Sequence, residues 1–308
     1  MSDRKTRKNL KRQTKVLLLL AGVLVLLLLA GTLFFTIPVD WRTDAVIITE
    51  PARIYSSAPV LNQDTTLGSQ TKPYVTTDTE SLDQLKIEMV AVQGGTFSMG
   101  SDEKSDFPRY FDDGPVHQVT LSDFYIGKFE VTQALWKAVM GSNPSSFKGD
   151  NLPVENVSWK DVNLFILKLN SMTGKQYRLP TESEWEFAAG GGISSKHFKF
   201  SGSNTADNVA WFDQNSGNKT HPVGSKTANE LGIHDMSGNV WEWCSDWYRK
   251  YFENAQTNPK GPSSGYDRIR RGGAWNFDAY RVRVTFRDLE NADIGSSTCG
   301  FRLACDIK

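Results

Sequence analysis

The feature that most constrains this chain is a 24-residue stretch near the N-terminus, residues 16–39, that carries no charged side chain. Its only hydroxyl side chains belong to Thr32 and Thr36, and most of the others are leucine or valine. As a helix rising about 1.5 Å per residue, the stretch would reach about 36 Å, which exceeds a hydrocarbon core of about 30 Å. The sequence therefore predicts one transmembrane helix over residues 16–39, followed by the part of the chain that can fold.

The charges beside this stretch predict its orientation. Residues 2–15 carry seven Lys or Arg side chains against one Asp. Cations on the N-terminal flank retain that end in the cytoplasm, so residues 1–15 are predicted to be cytoplasmic and residues 40–308 periplasmic or extracellular. A cleaved signal peptide is the alternative, but its apolar region is usually about 7–15 residues long. The run here is longer and continues through Phe34 and Phe35, so we favour a signal anchor that is not cleaved.

The remaining chain divides into a linker and one domain. Residues 40–86 are rich in Thr, Ser, Pro and Asp and have little apolar periodicity, which indicates an extended tether, with one or two cap strands as the alternative. Residues 87–308 form the predicted domain, and the nine Trp, nine Tyr and 17 Phe of the chain are ample for its core. Because 35 Lys+Arg balance 35 Asp+Glu, no nucleic-acid partner is expected.

Strand patterns occupy the start of this domain. Residues 89–100 contain two short apolar runs joined at Gly94 and Gly95, which predicts two strands that form a hairpin. Residues 117–127 alternate apolar and polar side chains, which predicts one half-buried strand.

Three segments have helical spacing and begin at a residue suited to cap a helix. They cover residues 132–140, 158–169 and 181–189. In the second and third, an acidic residue follows three positions after the cap, as in a capping box. After Gly190 the chain is rich in Gly, Asn, Ser and Trp without a long period, so we predict an α+β fold with long loops. The capping residues are Thr132, Ser158 with Asp161, and Thr181 with Glu184.

Several short strings of the domain occur together in a fixed order. In order, the strings are GGTFSMG (94–100), PVENVSW (153–159), RLPTESEWE (178–186), MSGNVWEW (236–243), RGGAW (271–275) and GFRL (300–303). Together they resemble the family of the formylglycine-generating enzyme, also called sulfatase-modifying factor, over about residues 87–306. The resemblance implies a C-type-lectin-like α+β fold with short helices, a small twisted sheet and long loops.

The resemblance implies a calcium ion at the MSGNVWEW string. Carried over by position, Asp235 and Glu242 would supply carboxylate oxygens, and Gly238 and Val240 would supply backbone carbonyls. Such a ligand set suits Ca²⁺, which takes six to eight oxygen ligands. The alternative is that Glu242 only accepts hydrogen bonds from a loop and holds no metal.

A second calcium site of the family would fall on Asn208 and the carbonyl of Val209. Its other ligands would lie within residues 215–217. This chain has Asn at a position of the site that the family often fills with Asp, so the second site would carry one negative charge fewer.

A catalytic feature of the family is missing. Catalytic members have two cysteines a few residues apart after the RGGAW-like string, and their thiolates bind copper(I), which prefers sulfur ligands. Residues 276–287 contain no cysteine here, and Phe277 stands near the first position. The three cysteines, Cys244, Cys299 and Cys305, lie elsewhere. Copper and formylglycine generation are therefore not expected, although an oxidoreductase of this type, or an accessory factor to one, stays the alternative.

The C-terminal strings also resemble the variable proteins of diversity-generating retroelements. In those proteins, an RGGxWN start and a GFRL end are fixed, and adenine-bearing codons between them are mutated. Such codons cannot become Lys, Glu, Gln, Met or Trp, and between Asn276 and Cys299 only Glu290 falls in that excluded set. The positions that fit variation are Phe277, Asp278, Tyr280, Phe286, Asp288, Ser296, Ser297, Thr298 and Cys299.

Aromatic and small polar residues of this kind are typical of a binding surface, because aromatic rings give contact area at low entropy cost. We therefore predict an exposed ligand face for an unknown protein or glycan partner on a membrane-anchored, non-catalytic domain. The alternative is that Phe277, Tyr280 and Phe286 are core residues of a relative that is not varied. The neighbouring DNA would distinguish the two, because a retroelement keeps a near-copy of the varied region beside a reverse transcriptase.

Overall fold

The computed structural model describes residues 87–103 and 113–307, all within one unit of the chain, Pro73–Lys308. The predicted cytoplasmic segment, transmembrane helix and linker lie outside the described residues. Across 87–103 and 113–307, no helix combines the length and the apolar character needed to span a membrane.

Short strands form three small sheets. In chain order, the strands are β1 (Met89–Val92), β2 (Gly95–Met99), β3 (His117–Leu121), β4 (Phe124–Gly127), β5 (Trp241–Trp247), β6 (Gln256–Thr257), β7 (Asp267–Arg271), β8 (Arg287–Asn291), β9 (Cys299–Gly300) and β10 (Ala304–Asp306). The sheet orders are β1-β4-β10, β2-β3-β6 and β8-β7-β5-β9. We call residues 271–302 the C-terminal segment. The third sheet carries both ends of this segment, because β7 ends at Arg271 and β9 contains Cys299 and Gly300.

The predicted hairpin at Gly94 and Gly95 is wrong, although both of its strands exist. β1 pairs with β4 and β2 pairs with β3, so the chain passes from one sheet to another at Gly94. A Cβ atom on Gly94 would lie 2.3 Å from the carbonyl oxygen of Leu121, so glycine alone allows the backbones to cross this closely. The predicted strand over residues 117–127 likewise divides into β3 and β4, which belong to different sheets.

Of the four helices that the structure describes, the first three begin where the sequence predicted, and the fourth was not predicted. They are α1 (Gln133–Met140), α2 (Trp159–Thr173), α3 (Glu182–Ala189) and α4 (Ala206–Val209), with a 3-10 turn at Gly192–Ser194. Thr132, Ser158 and Thr181 cap the first three, and α2 and α3 each have a complete capping box. The α2 helix continues past the predicted end to Gly174, whose positive φ of 67° closes it.

Apolar residues are buried in two main clusters. One joins α1 and α2 to Trp241, Trp243 and Phe286, and the other joins α3 to β2, β3 and β4. Strand β5 connects the two, because its Trp241 and Trp243 lie in the first cluster and its Cys244 in the second.

The α3 helix is unusual because all eight of its residues are buried, including three glutamates. Buried charges are stable only when they are paired and hydrogen-bonded. Glu182 binds Arg287 at 2.6 Å, and Glu186 binds Arg271. The RLPTESEWE string is therefore a set of internal ion-pair partners for arginines of the C-terminal segment.

Candidate ligand-binding site

The C-terminal segment is held at both ends by buried arginines. Arg271 is fully buried and binds Glu186 together with the carbonyl oxygens of Thr285 and Phe286. Arg302 is also fully buried, and its guanidinium binds the two carboxylate oxygens of Glu242 at 2.5 and 2.6 Å. Removing one partner of such a pair typically costs about 3–5 kcal/mol, because the other charge stays buried and unpaired. The ends of the segment are therefore rigid.

Trp241 of β5 contacts several parts of the C-terminal segment. It is fully buried, and its backbone N–H donates to the Thr298 carbonyl at 2.7 Å. Its ring centroid is 5.4 Å from that of Phe277 and 5.9 Å from that of Phe286, and the Arg270 guanidinium lies 5.3 Å away. Phe277 and Phe286, two of the predicted ligand residues, thus contact the same indole ring from different parts of the segment.

Six of the predicted ligand residues are partly exposed at this place. They form what we call the binding face: Phe277, Asp278, Tyr280, Asp288, Ser296 and Ser297. Phe277 and Tyr280 rest one side of their rings on the core.

The placement of Phe286, Thr298 and Cys299 on an exposed face is wrong. Phe286 and Cys299 are fully buried, and Thr298 is 8% exposed. The Phe286 ring is enclosed between Trp241 and Tyr280, the latter at 5.6 Å between centroids. Phe286 is therefore a core residue on which the binding face rests.

Charges in and beside the binding face are arranged with the carboxylates outside. Asp288 binds Arg270 at 2.7 Å, with side-chain exposures of 26% and 11%. Asp278 binds Arg281 at 2.6 Å, with 45% and 33%. Each of the two carboxylates is therefore more exposed than the arginine that it binds.

The framework beside the face includes residues that the sequence did not single out. Trp275 donates from Nε1 to the Ser297 carbonyl at 3.0 Å, and its ring meets Phe147 edge-on at 5.4 Å. The backbone N–H of Asn156 donates to the Ser296 carbonyl at 2.8 Å. Phe147 and Arg270 were not predicted as neighbours of the binding face. The only sequence signal for this framework was the PVENVSW string, which contains Asn156.

The predicted ligands of the first calcium site differ in how far they fit a cation. The Oδ2 atom of Asp235 accepts from Gly224 N at 2.6 Å, whereas its buried Oδ1 atom has no hydrogen-bond partner, which suits a cation. Glu242 fits less well, because Arg302 binds both of its oxygens and Trp185 Nε1 donates to Oε2 at 2.7 Å. Burial raises the pKa of Asp235 to about 6, and burial raises that of neighbouring Glu130 well above its usual range.

The residues of the second predicted calcium site are engaged with protein groups. Asn208 donates to Ser203 Oγ at 3.3 Å, and Asn215 donates to Asp207 Oδ1 at 3.1 Å and to the Ala210 carbonyl at 3.0 Å. Within the described part of the chain, no three His, Cys, Asp or Glu side chains converge into a metal-binding group.

The three cysteines are unpaired and lie apart from Phe277 in the sequence. Cys244 and Cys299 are fully buried in different core clusters. Burial raises the pKa of Cys299 to about 12 and that of Cys244 well above its usual value. Both thiols are therefore protonated near neutral pH, whereas copper(I) ligation and redox chemistry use the thiolate.

Comparison with known sequences identifies relatives of two kinds. The sulfatase-modifying factor enzyme 1-like domain matches residues 76–307. The chain is 39% identical to chaperone protein LppX of Paenibacillus barcinonensis, over 65% of this chain and 82% of that protein. It is 29% identical to the formylglycine-generating enzyme of Mus musculus, over 71% of this chain and 75% of the enzyme.

A solved structure shares both fold and sequence with this domain. Treponema denticola variable protein 1 is 33% identical and superposes with a TM-score of 0.66, over 71% of this chain and 95% of that protein. The family match covers the described domain, and several of the strings that carry the resemblance supply partners of its buried ion pairs, among them Glu186, Glu242 and Arg302. The chain therefore belongs to the family of the sulfatase-modifying factor enzyme 1-like domain.

Proposed function

We propose that this chain is a non-catalytic ligand-binding protein that displays the binding face to a protein or glycan partner. The observation that carries the proposal is the contrast within one segment. Six side chains of the segment are partly exposed, and one of them, Phe277, contacts buried Trp241, while Arg271 and Arg302 hold both ends by buried ion pairs. A rigid frame with an exposed, chemically mixed surface is the arrangement that recognition sites require.

We further propose that the face is diversified by a retroelement. Its support is the codon pattern between Asn276 and Cys299 together with the likeness to Treponema denticola variable protein 1. Sequencing the DNA beside the gene tests this. We expect a near-copy of the region encoding residues 271–302 that differs mainly at adenines, next to a reverse transcriptase gene. A complete flanking sequence without such a copy would reject diversification and leave an invariant binding face.

An oxidoreductase of the formylglycine-generating type is the alternative, supported by the 29% identity to the mouse enzyme. The purified chain would be incubated with copper(I), oxygen and a peptide containing a sulfatase-type cysteine motif. Our proposal expects no aldehyde on that cysteine. Aldehyde formation by the natural chain would overturn the non-catalytic assignment. If it persisted when Cys244 and Cys299 were replaced by Ser, those two thiols would not be the catalytic ones.

A chaperone role is a second candidate, favoured by the 39% identity to chaperone protein LppX. The two functions make different demands on the face, because a chaperone must bind many unfolded chains and a display protein one partner. The full-length chain would be added to a chemically denatured enzyme during refolding. Suppressed aggregation that is lost in a Phe277→Ser, Tyr280→Ser variant would support the chaperone role at this face.

Calcium binding at Asp235 stays a proposal. Its support is the buried Oδ1 atom without a hydrogen-bond partner, to which the carbonyls of Gly238 and Val240 would add oxygen ligands. The ion would act by cross-linking loops. The engagement of Glu242 by Arg302 argues for Asp235 as the principal carboxylate, and the second site at Asn208 and Val209 has weaker support.

Membrane anchoring through residues 16–39, with the domain outside the cytoplasm, is likewise proposed from the apolar stretch and its basic flank. Reporter fusions after residue 45 test it. An enzyme that is active only outside the cytoplasm should be active there, and activity of a cytoplasm-only reporter would contradict the topology.

A further inference from the structure

The structure has a cavity that shares no residue with the binding face. Its volume is 520 Å³, within the range of about 300–1,000 Å³ usual for ligand pockets. Strands β2 and β3 form one wall, the segment after α3 forms the opposite wall, and two residues of the C-terminal segment complete the lining. The side chains that matter below are Thr96, Phe97, Ser98, Gln118, Glu186, Phe187, Ile193, Ser195, Phe198 and Thr285.

The β2–β3 wall presents neutral hydrogen-bonding groups. Thr96 lies opposite Thr120 with their hydroxyl oxygens 2.8 Å apart, and Gln118 donates from Nε2 to Ser98 Oγ at 2.8 Å. Each hydroxyl and amide retains further donor or acceptor capacity. Ser195 and Thr285 add hydroxyl groups from the other sides of the cavity. The wall can therefore exchange several hydrogen bonds with a polar, uncharged molecule.

The remainder of the lining is apolar and largely aromatic. Phe97 and Phe187 lie 5.0 Å apart between centroids, and Phe198 adds a third ring. Ile193 is 57% exposed, and a Cβ on Gly95 would lie 2.9 Å from its Cγ2 atom. Gly95 therefore lets this exposed isoleucine pack directly on the strand, which keeps an apolar surface open to solvent.

The titratable side chains in the lining of the cavity are Glu186 and His197, and His197 is exposed. Glu186 is the one Asp, Glu, Lys or Arg residue in its lining. Its Oε1 atom accepts from Gly100 N at 2.7 Å, and its Oε2 atom binds Arg271, so both oxygens are already used. A cationic ligand would lose hydration here without gaining a free carboxylate, which disfavours cationic peptides. For an anion, His197 is the one side chain of the lining that could become a counter-ion, so charged sugars serve as comparators below.

We propose that this cavity is a saccharide site that takes a neutral oligosaccharide. A sugar ring combines a C–H face, which packs on aromatic side chains, with hydroxyl groups that exchange hydrogen bonds with neutral partners. The lining of the cavity contains both kinds of group, and its one carboxylate is already paired with Arg271. The site is independent of the proposed function, because it uses none of the residues of the binding face.

Saturation-transfer NMR on the full-length chain tests the proposal, in a detergent without a sugar headgroup. The probes are maltose, cellobiose and N,N′-diacetylchitobiose, with a sialylated and a sulfated disaccharide as charged comparators. We expect signal from at least one neutral probe. Gln118→Ala should weaken it several-fold, because a hydrogen-bonding group is lost. Ser98→Trp, at an exposed position of β2, should abolish it by filling the cavity.

Two control variants separate this site from others. Tyr266→Ala, at a side chain that is 94% exposed and outside the lining, should leave the signal unchanged. Phe277→Ala on the binding face should also leave it unchanged, so loss of face function and loss of sugar binding are distinguishable. The proposal is overturned if none of the neutral probes binds, if only charged probes bind, or if binding survives Ser98→Trp in a protein with native circular dichroism.

Discussion

Two phenylalanines that contact the same indole ring differ in burial, and this difference predicts different costs of truncation. Phe286 is fully buried, whereas Phe277 is partly exposed, and their centroids lie 5.9 and 5.4 Å from that of Trp241. Phe286→Ala should lower the free energy of unfolding by about 3–5 kcal/mol, the usual cost of an emptied aromatic site. Phe277→Ala deletes the same atoms but should cost only about 1–2 kcal/mol, because part of the ring is already hydrated.

Urea denaturation of the full-length chain, followed by tryptophan fluorescence, measures both variants. The slope of unfolding free energy against urea should stay the same, so the change in midpoint reports stability alone. The variants form a matched pair, since the substitution and the contacted ring are identical. Equal losses for Phe277→Ala and Phe286→Ala would refute the assignment of Phe277 to a solvent-facing surface and would return it to the core.

Three further outcomes follow from the structure. Arg302→Met should lower the free energy of unfolding in urea by about 3–5 kcal/mol, because Glu242 stays buried without its partner. Adding Glu242→Gln should recover part of that loss. A near-zero cost for Arg302→Met would contradict the role of this ion pair in holding the end of the C-terminal segment. Burial raises the pKa of Asp246 to about 7, so ionising it destabilises the folded state as the pH rises from about 4 to about 7. The free energy of unfolding of Asp246→Asn should therefore fall less between pH 5 and pH 7 than that of the natural chain. Equal falls in the two proteins would show that Asp246 does not contribute to the pH dependence of stability. If calcium binds at Asp235, a chelator should lower the melting temperature of the natural chain but not of Asp235→Asn, and an unchanged melt of the natural chain would remove calcium from the account.

Local signals predicted the helices correctly because the determinants of a helix start lie within a few residues. Ser158 and Asp161 form their capping box across three positions, and the structure has it. The hairpin at Gly94 failed for the opposite reason. Two glycines between apolar runs are compatible with a hairpin turn and also with two backbones that cross closely. Only the backbone of Leu121, which is distant in the sequence, shows that the second arrangement is the one formed.

The predicted exposure of the ligand side chains is seen for six of them and is wrong for Phe286 and Thr298, and the two errors share a cause. Ligand binding by the six stays a prediction. A codon argument identifies which residue types are accessible to variation, but it contains no information on burial. Phe286 and Phe277 are indistinguishable by that argument, yet one is enclosed and the other reaches solvent. The glutamates of α3 likewise show that residue type does not report burial. Charged side chains normally indicate a surface, and here each has a buried arginine or capping partner.

The central claim is that the binding face recognises a partner through side chains that the fold does not require. A library randomised at Phe277, Asp278, Tyr280, Asp288, Ser296 and Ser297 would be displayed and selected against lysozyme as an unrelated probe. A control library of equal size would vary six exposed positions of α2: Lys160, Leu164, Leu167, Lys168, Ser171 and Met172. We predict folded, specific lysozyme binders from the face library and few or none from the control. A face library that yields mostly unfolded clones, or no more binders than the α2 library, would contradict the account.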